Sequence, residues 1–127
     1  MNDLANLTLL VVDDEPELLE ILSSMLEFKG AKVLQASDGL KAFQVWQENP
    51  GIDFILTDVN MPGVGGDGIS LVKNVRAKSQ DGKPPILIIT GYSRQSEQEA
   101  YQAGANKVFA KPFKIDEVVA AIVSLMK

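Results

Sequence analysis

The sequence predicts an α/β fold in which helices cover both faces of an open parallel sheet. Short apolar segments rich in β-branched residues alternate five times with longer segments of helical periodicity. Segments such as LLVV and ILII are apolar without interruption, which is typical of strands buried on both faces of a parallel sheet. Right-handed crossovers between such strands make the open sheet the simplest arrangement.

The predicted elements follow one another as strand and helix along the whole chain. The predicted strands span residues 7–12, 31–36, 52–57, 85–90 and 107–110, and the predicted helices span 15–29, 38–47, 68–77, 93–102 and 115–126. Pro16 suits the first turn of the first helix and Gly30 its end. The apolar face of this helix is predicted to consist of Leu18, Leu22, Met25 and Leu26. That of the last helix is predicted to consist of Ile115, Val118, Val119, Ile122 and Met126.

Composition excludes several classes of protein. The chain has 127 residues, which is the size of one domain (1–127), and its net charge is −5. It contains no Cys and no His, so Cys or His nucleophiles, Ser-His-Asp triads, iron–sulfur clusters and the usual zinc sites are excluded. The basic residues are scattered, which argues against direct binding of nucleic acid.

The hydrophobic pattern argues against a membrane protein. Charged residues interrupt every apolar run well before the roughly 20 residues that span a bilayer. The N-terminal residues have neither the basic flank nor the apolar core of a signal peptide. We therefore predict a cytoplasmic protein without membrane contact.

Polar side chains end or follow four of the five predicted strands. Asp13 and Asp14 follow the first strand, Asp58 the third and Lys111 the fifth, while Thr90 ends the fourth. Ligand sites of open α/β sheets form at the carboxyl ends of the strands. Helix capping, turn formation or solvation explains any one of these residues, but not all five together.

Three carboxylates in one crevice need compensation, because two like charges about 4 Å apart repel by roughly 4 kcal/mol at a surface-like dielectric. Either one carboxyl group stays protonated or cations supply the balance. Three carboxylates with Lys111 leave a charge of about −2, which one divalent ion would neutralise. Mg²⁺ fits better than Ca²⁺, since it accepts few carboxylates and leaves positions for phosphate oxygens. This combination suits phosphoryl transfer with a carboxylate as the nucleophile.

Several spaced motifs carry a family resemblance over about residues 6–127. They are VVDDE at 11–15, Asp58 with Met61 and Pro62, Thr90 with Gly91, and Lys111-Pro112-Phe113. In these motifs the sequence resembles response-regulator receiver domains of the chemotaxis type. The resemblance implies a flavodoxin-like, doubly wound, five-stranded parallel sheet with five helices and strand order 2-1-3-4-5, an order for which this family is itself a standard example.

The same resemblance implies a role for each site residue. Asp58 would accept a phosphoryl group from a phosphohistidine, and because this chain has no His, a histidine kinase or histidine phosphotransfer protein must supply it. Asp14 and Asp58 would bind Mg²⁺ directly, Asp13 through water, and Asn60 through its backbone carbonyl.

The remaining implied roles concern the phosphoryl group. Thr90 and Lys111 would contact its oxygens, and Gly91 would leave room for it to enter. The Lys111–Pro112 peptide bond would be cis. The domain would catalyse its own phosphorylation and slow hydrolysis, and would act by changing what it binds.

The expected output surface is helix 4, strand 5 and helix 5, residues 93–126. Because no DNA-binding or catalytic module follows, the signal would pass to a separate downstream protein, unless the sequence is part of a longer chain. Val123 and Leu125 either pack within the domain, which is the commoner case, or form a docking or dimer face. We expect a monomer or weak dimer.

Two features depart from the family pattern. Val108 occupies the position of the family's aromatic switch residue, and Phe109 is expected to face the core instead because side chains alternate along a strand. Tyr92 is an alternative moving ring. Residues 63–68 lengthen the loop after Asp58 by about two residues and spell G-x-G-x-x-G. Because Asn60, Met61 and Pro62 stand between this pattern and the strand, a loop gating Asp58 is preferred over a nucleotide site.

Two other functions use the same residues. A magnesium-dependent phosphohydrolase with an aspartyl nucleophile would act on an external phosphate ester. A pseudo-receiver would only bind partners and would not respond at Asp58 to acetyl phosphate or beryllofluoride with Mg²⁺.

Overall fold

Five strands and five helices alternate in the parts of the chain that the computed structural model describes, residues 3–59, 67–79, 81–91 and 94–126. The strands are β1 (Thr8–Val12), β2 (Lys32–Ala36), β3 (Phe54–Asp58), β4 (Ile86–Thr90) and β5 (Lys107–Ala110). The helices are α1 (Pro16–Phe28), α2 (Gly39–Glu48), α3 (Gly68–Lys78), α4 (Arg94–Ala103) and α5 (Ile115–Leu125). Within these ranges, every helix is too short or too polar to cross a membrane.

The strands form one sheet in the order β2-β1-β3-β4-β5, with each neighbouring pair parallel. This confirms the predicted fold and strand order. The predicted bounds were close, with β3 starting two residues later than expected and including Asp58. Asp38 lies outside α2 as its N-cap and accepts a hydrogen bond from the Lys41 backbone N–H at 2.8 Å. Residue 93, the predicted start of α4, lies outside the described residues.

Each face of the sheet has its own hydrophobic core. One core joins the sheet to α1 and α5 and includes Leu4 from the N-terminal segment. The other joins it to α2, α3 and α4. All residues of β3 and β4 are buried, whereas the edge strands β2 and β5 are partly exposed. The central strands are therefore fixed from both sides, and so are the residues at their ends.

The buried face of α1 differs from the prediction. Leu19, Leu22, Ser23 and Leu26 face the core, whereas Met25 is 43% exposed and Leu18 is only partly buried. Ser23 is buried because its hydroxyl accepts a hydrogen bond from the Gln35 side chain at 2.8 Å. A polar residue with a partner thus occupies part of the inner face, and Leu18 and Met25 instead line a hollow of about 340 Å³ beside Pro112 and Phe113.

The end of α5 also differs from its predicted pattern. Val118, Val119 and Ile122 are buried as expected, but Met126 follows the helix and is 50% exposed. Val123 and Leu125 are partly buried against the core below α5. The structure therefore favours packing within the domain for these two side chains over a separate apolar docking face.

Candidate phosphoacceptor site

The carboxyl edge of the sheet brings the predicted site residues together. Asp13 follows β1, Asp58 ends β3, Thr90 ends β4 and Lys111 follows β5. These four strands are consecutive neighbours in the sheet, so their ends lie side by side. The placement follows from parallel pairing, since every strand presents its carboxyl end to the same edge.

Lys111 pairs directly with Asp58. Its Nζ donates a hydrogen bond to Asp58 Oδ2 at 3.0 Å, and Asp58 is only 5% exposed. The backbone of Lys111 is held as well, because its N–H donates to the Thr90 carbonyl at 2.8 Å. The Lys111–Pro112 peptide bond is cis, as the family resemblance implied, and the Lys83–Pro84 bond is also cis, which was not predicted.

The neighbouring acids keep Lys111 charged. Burial alone would lower the pKa of the Lys111 ammonium group, but the hydrogen bond and negative charge of Asp58 oppose this, and Asp13 and Glu15 add to their effect. The pKa of Lys111 is therefore raised above its ordinary value. Below that raised pKa the lysine remains a cation directed at Asp58.

Asp13 is a second buried carboxylate at this edge. It is 3% exposed, and its Oδ1 accepts a hydrogen bond from the Glu15 backbone N–H at 2.9 Å, which holds the side chain at the start of α1. Burial raises the pKa of Asp13, and the charges of Asp58 and Asp14 raise it further, against the opposing effects of Glu15 and Lys111. The charge of Lys111 therefore offsets only part of the combined effect of burial and the neighbouring acids on Asp13.

The acidic residues have the chemistry of a hard-cation site. Carboxylate oxygens are the ligands that Mg²⁺ prefers, and a bound cation would favour the ionised form of Asp13, whose pKa is raised mainly by burial and to a lesser degree by the charge of Asp58. Among the described residues, however, no three acidic side chains already converge closely enough to hold one metal ion. Asp14 is half-buried next to Asp13, and Asn60 lies outside the described residues. The complete ligand set therefore stays a prediction.

Thr90 lies at the end of β4 between the strands that carry Asp58 and Lys111. It is 3% exposed, and its hydroxyl donates to the Gly91 carbonyl at 2.8 Å. The hydroxyl is thus satisfied within its own turn. Its predicted contact with a phosphoryl oxygen would require rotation of the side chain or a shift of that turn.

Gly68 was missed as a residue that positions the site. Its N–H donates to the Val59 carbonyl at 3.2 Å, and a Cβ at Gly68 would overlap the carbonyl oxygen of Asp58. Asp67 precedes it as the N-cap of α3 and accepts from the Ser70 N–H at 2.8 Å. From the sequence, Gly68 was predicted as the first residue of a helix and as the last glycine of a G-x-G-x-x-G pattern, without a role in positioning Asp58. The useful signal was a glycine directly after a capping Asp, where a helix starts close to a strand end.

The aromatic positions near the site agree in part with expectation. Phe109 is buried in the core on the α1 and α5 side, as predicted, and Val108 is half-buried on the opposite face. Tyr92, the alternative moving ring, lies outside the described residues, as do residues 60–66 of the loop.

Comparison with known proteins agrees with this geometry. A family model described as the response regulator receiver domain matches residues 9–123. The chain belongs to this family. Receiver domains are the phosphoacceptor signalling domains of two-component systems. The family predicted from the sequence motifs is therefore confirmed, and so is the general class of function, a phosphoacceptor signalling domain.

Relatives of similar length are found among chemotaxis and phosphorelay proteins. Chemotaxis protein CheY-3 of Vibrio cholerae is 38% identical over 110 residues, covering 85% of this chain and 82% of the relative. Sporulation initiation phosphotransferase F of Bacillus subtilis is 36% identical over 119 residues, covering 92% and 91%. A crystal structure of a putative response regulator from Chloroflexus aurantiacus has a TM-score of 0.82 and 35% identity, covering 92% of this chain and 97% of that one.

Other relatives are longer than this chain. The chain covers 46% of response regulator GtcR of Aneurinibacillus migulanus, to which it is 33% identical over 116 residues. The match to such relatives is to about half of their length, and it establishes the receiver domain rather than the activity of a whole regulator.

Proposed function

We propose that Asp58 accepts a phosphoryl group from a phosphohistidine on a histidine kinase or histidine phosphotransfer protein, in a reaction that depends on Mg²⁺. The observation that carries the proposal is the 3.0 Å hydrogen bond from Lys111 Nζ to the buried Asp58 carboxylate, beside the buried carboxylate of Asp13. This combination supplies a nucleophile, a fixed cation and unbalanced negative charge at one edge of the sheet.

The proposed phosphoryl transfer needs no reactant other than the phosphohistidine donor and the Asp58 carboxylate. A carboxylate oxygen of Asp58 attacks phosphorus, the P–N bond to the donor imidazole breaks, and the imidazole leaves as the phosphoryl group is taken over. Lys111, already hydrogen-bonded to Asp58, turns its charge to the new phosphoryl oxygens. Attack of water on phosphorus later returns the free carboxylate and inorganic phosphate.

Mg²⁺, held by Asp13, Asp14, Asp58 and the Asn60 carbonyl, would neutralise charge on the phosphoryl oxygens during transfer. Thr90 would donate its hydroxyl to one of these oxygens in place of the Gly91 carbonyl. The relative from Bacillus subtilis is named a phosphotransferase, which supports phosphoryl transfer as the chemistry of this site.

The output of the proposed switch is binding of a separate protein. Phosphorylation adds negative charge at the carboxyl edge, and Lys111 connects that edge to the adjoining strand β5. We propose the surface of α4, β5 and α5 as the one whose partner affinity changes, in a monomer or weak dimer.

Mass mapping tests the site of modification. The chain is incubated with a phosphohistidine donor and Mg²⁺, digested, and searched for a phosphorylated peptide. We expect one phosphoryl group on the peptide that contains Asp58, and no modification in Asp58→Asn or in the presence of EDTA. Asp53→Asn is a matched control, because Asp53 precedes the same strand at its other end and holds the Thr8 N–H at 2.9 Å.

Two results would reject this function. Modification at another residue, or none with an active donor, would remove Asp58 as the acceptor. Turnover of small phosphate esters that is lost in Asp58→Asn would instead favour a phosphohydrolase.

A further inference from the structure

The hydroxyl of Tyr101 joins α4 to the edge of the sheet. It accepts a hydrogen bond from the backbone N–H of Val108, with 3.2 Å between the two heavy atoms. Val108 lies in β5, which is an edge strand with β4 as its one neighbour in the described sheet. The hydroxyl of an α4 side chain is thus the acceptor for a backbone N–H of the edge strand β5.

Few of the described side chains of α4 are buried, so the Tyr101 hydrogen bond is a large part of its contact with the sheet. Of the α4 side chains described, those of residues 97–103, only Ala100 is fully buried. By contrast, α3 buries Leu71, Val72 and Val75. Among the α4 side chains that the structure describes, the buried Ala100 and the partly buried Ala103 supply the apolar contacts with the core, and Tyr101 adds a polar contact with β5. Alanine side chains bury little apolar area, so this anchoring is small. Such an element can take a second position at small cost.

The strand that Tyr101 holds also leads to the phosphoacceptor site. Lys111 comes three residues after Val108, and its N–H is fixed to Thr90 while its Nζ is fixed to Asp58. Strand β5 is therefore tied to α4 near its middle and to the site at its end. A change in charge at Asp58 that moves Lys111 acts on the same short strand.

We propose that the Tyr101 hydroxyl is a latch that favours the unphosphorylated arrangement of α4 on β5 and thereby lowers the affinity of Asp58 for a phosphoryl group. The hydrogen bond exists together with the Lys111–Asp58 pair, so the latch is assigned to the state in which Lys111 is bound to the unphosphorylated carboxylate. Coupling between two sites is reciprocal, so releasing the latch must strengthen binding at Asp58 by the factor with which phosphorylation weakens the latch. This inference rests on the proposed function of Asp58.

The test uses Tyr101→Phe, which removes the hydroxyl and keeps the ring. Hydrogen exchange of the Val108 amide measures the latch directly, and titration with beryllofluoride and Mg²⁺ measures affinity at Asp58. We expect Val108 to exchange about tenfold faster in the variant and beryllofluoride to bind about two- to tenfold more tightly, the range for one hydrogen bond. Asn49→Ala is the control, because it removes a 2.8 Å side-chain hydrogen bond to the Val45 carbonyl at the end of α2, away from β5. It should change neither quantity.

The outcomes are distinct. Unchanged exchange at Val108 would show that no latch forms in solution, and faster exchange with unchanged beryllofluoride affinity would show a local contact without coupling; either result overturns the inference. Failure of the wild-type protein to bind beryllofluoride would instead reject the proposed function, and the exchange at Val108 would still decide whether the latch exists.

Discussion

The two ends of the sheet differ in the partners of their buried charged groups. At the carboxyl edge, Asp13 and Asp58 are both buried and lie close enough for their charges to interact. Lys111 is the cation that pairs with Asp58 there. At the amino edge, Arg76 of α3 is surrounded by neutral acceptors. Its guanidinium donates to the Gly104 carbonyl at 3.0 Å, the Pro84 carbonyl at 2.9 Å and Asn106 Oδ1 at 2.8 Å.

This difference in partners indicates that the amino edge stabilises the fold, whereas the carboxyl edge carries the candidate site. Burial lowers the pKa of Arg76 below its ordinary value and Asp81 partly opposes this, so the cation is desolvated but has no like charge among its named partners. Asn106 Oδ1 also accepts the Ile86 N–H at 2.9 Å, which connects Arg76 to the starts of β4 and β5. At the amino edge, Arg76 therefore makes its hydrogen bonds within the domain. The carboxyl edge keeps repulsion that a bound cation can relieve.

The largest predicted effect on stability is at the amino edge. Arg76→Ala leaves the acceptors on Gly104, Pro84 and Asn106 without this donor, and we expect the free energy of unfolding to fall by about 3 kcal/mol. Chemical denaturation measures this loss. Lys73→Ala, on an exposed position of the same helix, should change it by less than about 0.5 kcal/mol.

Folded Arg76→Ala should still bind beryllofluoride like the wild type below its unfolding transition, because Arg76 lies at the amino edge, away from Asp58. A large loss of beryllofluoride affinity without a loss of stability would instead mean that the amino edge takes part in the function.

A smaller effect, but one on both properties, is expected at Gly68. Gly68→Ala places a methyl group against the carbonyl oxygen of Asp58, so α3 or the end of β3 must move. We expect a loss of about 2 kcal/mol in unfolding free energy and weaker phosphorylation of Asp58, measured by denaturation and by mass mapping. Gly51→Ala is the matched control because a Cβ there meets nothing within 4 Å. Equal phosphorylation of Gly68→Ala and wild type would show that the start of α3 does not position Asp58.

Residues with a strong local pattern were predictable from the sequence. The uninterrupted apolar runs LLVV of β1 and ILII of β4 predicted buried parallel strands, and the polar residues at the strand ends predicted a candidate site at the carboxyl edge of the sheet. Asp58 and Lys111 are 53 positions apart, yet their meeting followed from parallel pairing of the strands that precede them. Strand order came from the family resemblance, since apolar periodicity does not distinguish one parallel neighbour from another.

Residues whose role depends on one distant partner were not predictable. Nothing local in the sequence pairs Arg76 with Gly104, or Tyr101 with the backbone of Val108. Likewise, Ser23 lies on the buried face of α1, where its hydroxyl accepts a hydrogen bond from the Gln35 side chain of β2. The apolar spacing of Leu18 and Met25 does not indicate this contact. The roles of Asp13, Asp14, Asn60 and Thr90 toward metal and phosphoryl group stay predictions, which the solution experiments address.

The smallest predicted effect concerns the charge of Asp13 and changes sign with conditions. Its pKa is higher in the folded chain than in the unfolded one, so its carboxyl group stabilises the fold while protonated. That contribution is complete below the ordinary pKa of about 4 and is lost as the pH rises through the raised value. Asp13→Asn keeps an oxygen acceptor for the Glu15 N–H but removes the charge.

At pH 7 without Mg²⁺, Asp13→Asn should therefore be more stable than the wild type by about 1 kcal/mol, and the difference should vanish as the pH falls below about 3.5. Asp116→Asn is the control, because the Asp116 side chain is 84% exposed and lies 3.9 Å from Lys29, so it should differ from wild type by less than about 0.5 kcal/mol. Saturating Mg²⁺ should reverse the order at pH 7, since an ion that binds the folded wild type more tightly than the variant stabilises it more. If Asp13→Asn is instead less stable than wild type at pH 7 without the ion, the carboxyl edge holds no unrelieved repulsion, and its contrast with the amino edge fails.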